Sequence, residues 1–152
     1  MKIENRLKEL GLVLPEPTKP GGNYLSVNIR KDVAYIAIQF PKHGDNWIYM
    51  GRLGKDLTTE DGYKAMQLCA LNVIAHIVKS IGYDKLVGLN HIDAYYQAER
   101  DWDDAPKIVD GASDIFVNVL GDKGKHSRAI FGVERLPRNF SVGLACSLTI
   151  EH

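Results

Sequence analysis

Two side chains that could bind a ligand or transfer a proton, His126 and Arg128, lie two residues apart in the segment Gly121–Pro137, GDKGKHSRAIFGVERLP. Side chains alternate along a strand, so a strand here would point both to the same side, roughly 7 Å apart. Arginine presents a rigid, planar set of donors that can hold a carboxylate through two hydrogen bonds, and imidazole can serve as a base or an acceptor. The pair therefore predicts a site for a small carboxylate or, more simply, a surface arginine paired with a nearby acid.

Other polar groups carry weaker signals. Gly121–Lys125 has the glycines and lysines of a phosphate loop but lacks the Walker spacing and the Ser or Thr after the lysine. The acidic run Asp101–Asp104 lacks the pattern of a calcium loop, and the histidines and cysteines show no ligand spacing. We expect neither a metal ion nor an organic cofactor.

Charge and cysteine usage limit the class of protein. Nineteen basic residues balance nineteen acidic ones, so no long-range attraction to nucleic acid or anionic membrane is expected. The N-terminal segment Met1–Glu4 is charged where a signal peptide needs apolar residues, and no apolar run suggests a membrane span. Because Cys69 and Cys146 give no disulfide framework, we expect a reduced, cytoplasmic protein.

Hydrophobic periodicity and turn residues predict an α+β fold for residues 1–152 as a single domain, in which residues 1–22 form an N-terminal helix and an extended connector. Helices are predicted at 2–10, 59–81 and 106–120, and strands at 24–30, 33–40, 47–51, 85–96, 127–134 and 140–150. Thr58 and Asp61 resemble a capping box at the start of the longest helix. This order favours a mixed sheet with two long helices packed on one face.

An ordered set of short segments carries a family resemblance over about residues 10 to 150. The segments are Gly22–Tyr24, Tyr49–Gly54, Leu57–Tyr63, Ala70–Asn72, Val109–Asp114, His126–Arg128, Gly132–Val133 and Leu136–Pro137. Together they resemble the YjgF/Rid family, whose characterised members are deaminases of reactive enamines and imines. The similarity is closest to its longer branch, often labelled endoribonuclease L-PSP-like.

The resemblance implies a chorismate-mutase-like fold assembled as a homotrimer, with ligand clefts between subunits. It implies that Arg128 anchors the carboxylate of a 2-imino or 2-enamino acid. Tyr24 would form one wall of the cleft; alternatively, it is a core or interface tyrosine with no ligand role. Gln39 would contact the ligand. The partners expected are a small carboxylate metabolite and two further copies of the chain, with no membrane and no nucleic acid.

Several positions depart from the family pattern. Deaminase members place on the last strand a glutamate that positions the attacking water, and the matching residue here is Gly143. The Ser-Gly-Gln run that closes their second strand is replaced by Ala37-Ile38-Gln39, and Asp110 stands where an asparagine is common. His126 or Asp110 would then have to supply the base, so these two are the candidate catalytic residues.

Three functions follow from the resemblance. The first is hydrolysis of 2-imino or 2-enamino acids to 2-oxo acids and ammonia, with the carboxylate held by Arg128. The second is a non-catalytic trimeric protein that binds or senses a small carboxylate, which Gly143 and Ile38 favour. The third, endoribonuclease activity, is disfavoured by the zero net charge and by the lack of a basic surface interleaved with aromatic residues.

Overall fold

The computed structural model describes residues 2–152 of the chain. The elements are α1 (Ile3–Glu9), β1 (Val27–Arg30), β2 (Val33–Gln39), β3 (Lys42–His43), β4 (Asn46–Trp47), α2 (Thr59–His76), β5 (Leu86–Tyr96), α3 (Ala105–Leu120), β6 (Ser127–Gly132) and β7 (Val142–Ile150). A π-helical turn at Ile77–Gly82 and 3₁₀ turns at Tyr83–Lys85, Gly121–Gly124 and Pro137–Asn139 join some of them.

Five strands form one mixed sheet in the order β1-β2-β7-β5-β6. Neighbouring strands are antiparallel except β5 and β6, which run parallel because α3 crosses over between them. The sheet therefore ends at β1 on one side and at β6 on the other, and β6 presents an unpaired edge within the part of the chain that the structure describes.

Helices α2 and α3 pack side by side, and their apolar faces share one core with the sheet. Alternate residues of β7, from Val142 to Ile150, are buried, as the period-two pattern requires of a strand with one covered face. Each fully buried large side chain, such as Ile74 or Leu148, contributes about 1.5–3 kcal/mol through the apolar surface it removes from water. The predicted α+β class, with two long helices on one face of a mixed sheet, is confirmed.

Glycine at position 111 sets the distance between the two long helices. A β-carbon there would overlap the carbonyl oxygen of Tyr63 on α2, so no side chain fits. The backbones of α2 and α3 therefore approach closely at Gly111. Asp110 and Ser113 precede and follow this point along α3.

Three predicted elements differ clearly from the structure. The strand predicted from residue 24 begins only at Val27. The strand predicted at 47–51 is wrong in extent, because β3 and β4 form a two-residue hairpin and the chain leaves extended geometry at Tyr49, whose φ is 57°. The helix predicted to run to residue 81 is α-helical only to His76, after which it continues as the π-helical turn. The capping box of Thr58 and Asp61 is present, with each side chain bonded to the other residue's backbone N–H.

The helical stretch Thr59–Lys85 is long and apolar enough, by length and composition, to cross a membrane. The expectation that no apolar run reaches that length was therefore wrong. However, 67% of its apolar window is buried inside the protein, which is typical of the core helix of a small soluble domain.

Candidate functional site

Arg128 lies on the edge strand β6 and reaches across to α3. Its Nη1 donates to Asp110 Oδ1 at 2.8 Å and to Ser113 Oγ at 3.1 Å. Because Asp110 and Ser113 are three residues apart, they lie on the same face of the helix. Arg128 thus forms an ion pair with a nearby acid, which was the simpler of the two interpretations of the sequence. Among residues 2–152, both of its side-chain hydrogen bonds use Nη1, so the rest of the guanidinium can bind a ligand.

His126 joins the same group through Ser113. Its Nε2 lies 2.9 Å from Ser113 Oγ, and its Nδ1 lies 2.6 Å from the carbonyl oxygen of Gly124. A carbonyl can only accept, so Nδ1 carries a hydrogen and, in the neutral imidazole, Nε2 accepts the hydroxyl hydrogen of Ser113. The same hydroxyl oxygen accepts from Arg128. His126, Ser113 and Arg128 therefore form one hydrogen-bonded chain, as expected for two side chains pointing to one side of the strand.

Lys125 and Val117 complete a shallow groove of about 360 Å³ beside this chain. We call it the arginine groove, lined by Ser113, Val117, Lys125, His126 and Arg128. Lys125 is paired with Asp122 at 3.1 Å, and the side chain of Arg128 is 27% exposed. An anion entering the groove would meet Arg128 directly.

Tyr24 and Gln39 lie elsewhere, in a pocket of about 250 Å³. We call it the tyrosine pocket; its lining includes Lys19, Tyr24, Ile38, Gln39, Lys42, Arg138 and Phe140. Tyr24 is half-exposed, and its hydroxyl accepts from the N–H of Gly21 at 3.0 Å. Gln39 is buried, with Oε1 accepting from Thr18 Oγ1 at 2.6 Å and Nε2 donating to the carbonyl of Ala37 at 2.9 Å.

The arginine groove and the tyrosine pocket are too far apart to hold one small ligand within a single chain. Gln39 is on β2 and Arg128 is on β6, and β7 and β5 lie between those strands. Three strand spacings amount to roughly 14 Å. The structure thus brings together Asp110, His126 and Arg128, but not these residues with Tyr24 and Gln39.

No group of three or more His, Cys, Asp or Glu side chains in residues 2–152 is arranged to hold a metal ion. Burial raises the pKa of the Cys146 thiol to about 12 and that of Cys69 further still, so neither sulfur is an available ligand or nucleophile.

A family model described as "YjgF/chorismate mutase-like, putative endoribonuclease" matches residues 4–148. The chain belongs to the YjgF family. A crystal structure of an endoribonuclease-labelled protein from Shewanella oneidensis is 30% identical, with a TM-score of 0.94 over 98% of this chain and 99% of that one. Protein Atu1372 of Agrobacterium tumefaciens, of unknown function, is 29% identical, with a TM-score of 0.90 over 98% and 92% of the two chains. Protein TCP17 of Trypanosoma cruzi is 28% identical over 90% of this chain and 86% of its own length.

Two departures from the YjgF pattern meet in space. Ala37 and Ile38 face a single residue of β7, because the register shifts between Ile36 and Gln39, and such a bulge re-aims a side chain. Ile38 is directed over Gly143, where a β-carbon would lie 2.6 Å from Ile38 Cδ1 and 3.1 Å from Phe40 Cε1. The volume that a glutamate at position 143 would enter is therefore filled by Ile38.

Several site residues could not be found from the sequence. Ser113 lies in the family segment Val109–Asp114, but that segment gives it no role, and only the packing of α3 against β6 shows that it links Arg128 to His126. The cations of the tyrosine pocket, Lys19, Lys42 and Arg138, come from three separate loops or short strands. Tertiary structure alone places them around one cavity.

Proposed function

We propose that this YjgF-family chain assembles as a homotrimer and binds a small carboxylate metabolite in a cleft shared between neighbouring copies. Arg128 would hold the carboxylate. Tyr24 and Gln39 of a neighbouring copy would form the opposite wall. The separation of roughly 14 Å between β2 and β6 supports this arrangement, because residues at those strands can meet around one small ligand only if they come from different copies.

We further propose that the cleft binds its ligand without hydrolysing it. The observation that carries this proposal is the contact between Ile38 and the β-carbon position of Gly143. Glycine offers no carboxylate to position water, and Ile38 fills the same volume with an apolar side chain. A binding or regulatory protein is therefore the function that this geometry supports best.

A second candidate, imine hydrolysis, is favoured by one specific observation. Ser113 Oγ lies 2.9 Å from His126 Nε2, so an imidazole with an accepting nitrogen stands next to Arg128. As water adds to the carbon–nitrogen double bond, Ser113 could accept the proton of the water while passing its own hydroxyl proton to His126 Nε2, with Asp110 as the other candidate group. The products would be a 2-oxo acid and ammonia.

Endoribonuclease activity, the label of the family model, is not part of this proposal. The net charge is zero, and the arginine groove and the tyrosine pocket together present five lysine or arginine side chains, namely Lys125, Arg128, Lys19, Lys42 and Arg138. Nucleic-acid binding depends on the release of counterions by many such charges.

The experiment that separates binding from turnover compares three proteins. Hydrolysis of freshly generated 2-iminobutyrate and 2-aminoacrylate is measured with the wild type, with Arg128→Ala and with the control Arg100→Ala, which changes an exposed arginine outside both cavities. Binding of 2-oxobutyrate is measured in parallel by calorimetry. We expect saturable binding that is lost only in Arg128→Ala, and no acceleration of hydrolysis.

Acceleration by the wild type that disappears in Arg128→Ala would overturn the non-catalytic proposal and support the second candidate. In that case His126→Ala should abolish turnover while 2-oxobutyrate still binds. If 2-oxobutyrate binds equally well to the wild type and to a folded Arg128→Ala protein, Arg128 is not the carboxylate anchor.

A further inference from the structure

All the charged side chains that line the tyrosine pocket are positive. Three cations, Lys19, Lys42 and Arg138, line it, and none of its other lining residues is Asp or Glu. Within residues 2–152, the ion pairs of the structure involve none of these three side chains. In a chain with zero net charge, three uncompensated cations around a cavity of about 250 Å³ form a local positive site.

The two acids of the adjoining groove offset this positive charge only in part. Glu16 and Asp45 line a neighbouring groove that shares Lys19 and Lys42 with the tyrosine pocket. Glu16 is already paired with Lys79, at 3.1 Å between Oε1 and Nζ. One acid, Asp45, therefore faces the positive groups of the two adjoining cavities.

Aromatic rings, rather than carboxylates, hold two of the cations. Lys42 Nζ lies 5.7 Å from the ring centre of Trp47 and 5.8 Å from that of Phe140, and Arg138 Cζ lies 5.5 Å from Trp47. Phe140 is itself stacked on Phe40, with ring centres 4.4 Å apart. A cation–π contact positions a cation without neutralising it, so the charge remains available to a ligand.

The backbone at Arg138 is strained in a way that fixes its position. Arg138 and Asn139 both have left-handed backbone angles, with φ of 55° and 62°, which is uncommon for residues with a β-carbon. Gln97 maintains this turn: its Nε2 donates to Asn139 Oδ1 at 3.0 Å, and its Oε1 accepts from the N–H of Leu136 at 2.8 Å. A buried glutamine thus stabilises a strained turn that places Arg138 in the lining of the pocket.

We propose that the tyrosine pocket selects a small dianion, a molecule with two negative charges such as a short dicarboxylate or a phosphate monoester, over a monocarboxylate. This inference rests on the proposed function, because the pocket forms one wall of the proposed cleft. Lys42 and Arg138 bind the second anionic group, and Lys19 stands at the rim. The substrate class thus differs from the singly charged imino acids that the family resemblance implies.

The test compares ligands that differ in charge but are alike in size. Succinate, propyl phosphate and butyrate are titrated at pH 8 and low ionic strength by calorimetry, with tryptophan fluorescence as a second signal, measured in a Trp102→Phe background so that only Trp47 emits. We expect at least one of the two dianions to bind ten-fold or more tightly than butyrate. The variants are Lys42→Gln and Arg138→Asn, the latter because asparagine tolerates the left-handed backbone. Each should reduce the dianion preference five-fold or more.

The control Lys107→Gln removes one positive charge from an exposed site on α3, outside the pocket, and should leave the preference unchanged. Equal binding of butyrate and both dianions, with all of it lost in Arg128→Ala, would overturn the dianion inference and leave the proposed carboxylate site standing. If none of the three probes, nor 2-oxobutyrate, binds to the folded wild type, both proposals fail. Comparing succinate with propyl phosphate identifies which kind of dianion the pocket takes.

Discussion

Asp110 Oδ1 lies 2.8 Å from Arg128 Nη1, so the arginine on which the proposed ligand site depends already has a carboxylate partner in this chain. The Asp110 side chain is 53% exposed and that of Arg128 is 27% exposed. An ion pair this open to water is weak, and a ligand carboxylate can compete with it. Asp110 thus holds the guanidinium in place and also opposes the binding of an anion.

Replacing Asp110 with asparagine should strengthen anion binding. The amide would keep a side-chain oxygen for Arg128 Nη1 while removing the negative charge that competes with the ligand. We expect 2-oxobutyrate to bind about two- to five-fold more tightly to Asp110→Asn, the range of an exposed ion pair. Calorimetry at two salt concentrations checks this, and weaker binding would show that Asp110 instead supports the ligand.

The contact between Ile38 and Gly143 gives a second prediction. Gly143→Glu alone should destabilise the protein by about 1–3 kcal/mol, because the new side chain must displace Ile38, whose Cδ1 is 2.6 Å from the β-carbon position. The double variant Ile38→Gly with Gly143→Glu should recover part of that loss by emptying the volume. Urea denaturation measures both, and equal stabilities of the single and double variants would contradict the steric argument.

The same double variant also tests what the missing glutamate means for chemistry. If the absence of a carboxylate at position 143 prevents turnover, as we propose, the double variant should hydrolyse 2-iminobutyrate faster than the wild type does. Ile38→Gly alone is the matched control and should not.

Because α2 and α3 approach closely, adding a single methyl group between them should lower the free energy of unfolding considerably. Gly111→Ala places a β-carbon against the carbonyl oxygen of Tyr63, a backbone atom that cannot rotate away, and should cost about 1–3 kcal/mol or more. Gly88→Ala, whose β-carbon would lie 3.7 Å from its nearest neighbour, is the control and should change stability little. Thermal or urea unfolding of the two variants gives the comparison.

His76 should make stability depend on pH. Burial lowers its pKa below the ordinary value of 6.5, since the ring lies between Thr18 and Ser80 in the interior. The unfolded chain therefore binds a proton at a higher pH than the folded chain does. The free energy of unfolding then falls as the pH drops below 6.5, by at most about 1.4 kcal/mol per pH unit.

Urea denaturation of His76→Gln between pH 7.5 and pH 5.5 should show a smaller slope than the wild type. The exposed His43, replaced by glutamine, is the control and should keep the wild-type slope. Identical slopes in all three proteins would mean that His76 does not titrate differently in the folded and unfolded states.

Assembly can be tested directly. A homotrimer predicts a mass in solution near three times the 17.0 kDa of the chain. Sedimentation or light scattering at several concentrations measures it. A monomer at every concentration would remove the shared cleft, because residues on β2 and β6 could then not meet around one ligand.

Much of the fold follows from local sequence. The capping box at Thr58 and the alternation along β7 are each set by neighbouring residues. Burial of the long helix is not local in this sense, because consecutive residues such as Val73, Ile74 and Ala75 are all buried. His126 directly precedes β6 and Arg128 is its second residue, and both side chains reach Ser113, as alternation along an extended segment predicts.

The sequence by itself determined the long helices, the strands of the main sheet and their order, and it led to Arg128 as the candidate anchor for a carboxylate. Only the tertiary structure decided what surrounds that arginine. Asp110 and Ser113 reach it because α3 packs against β6, and Ile38 covers Gly143 because a bulge in β2 faces β7. These contacts join residues from separate segments of the chain, and a pattern of neighbouring residues does not determine which separate segments come together.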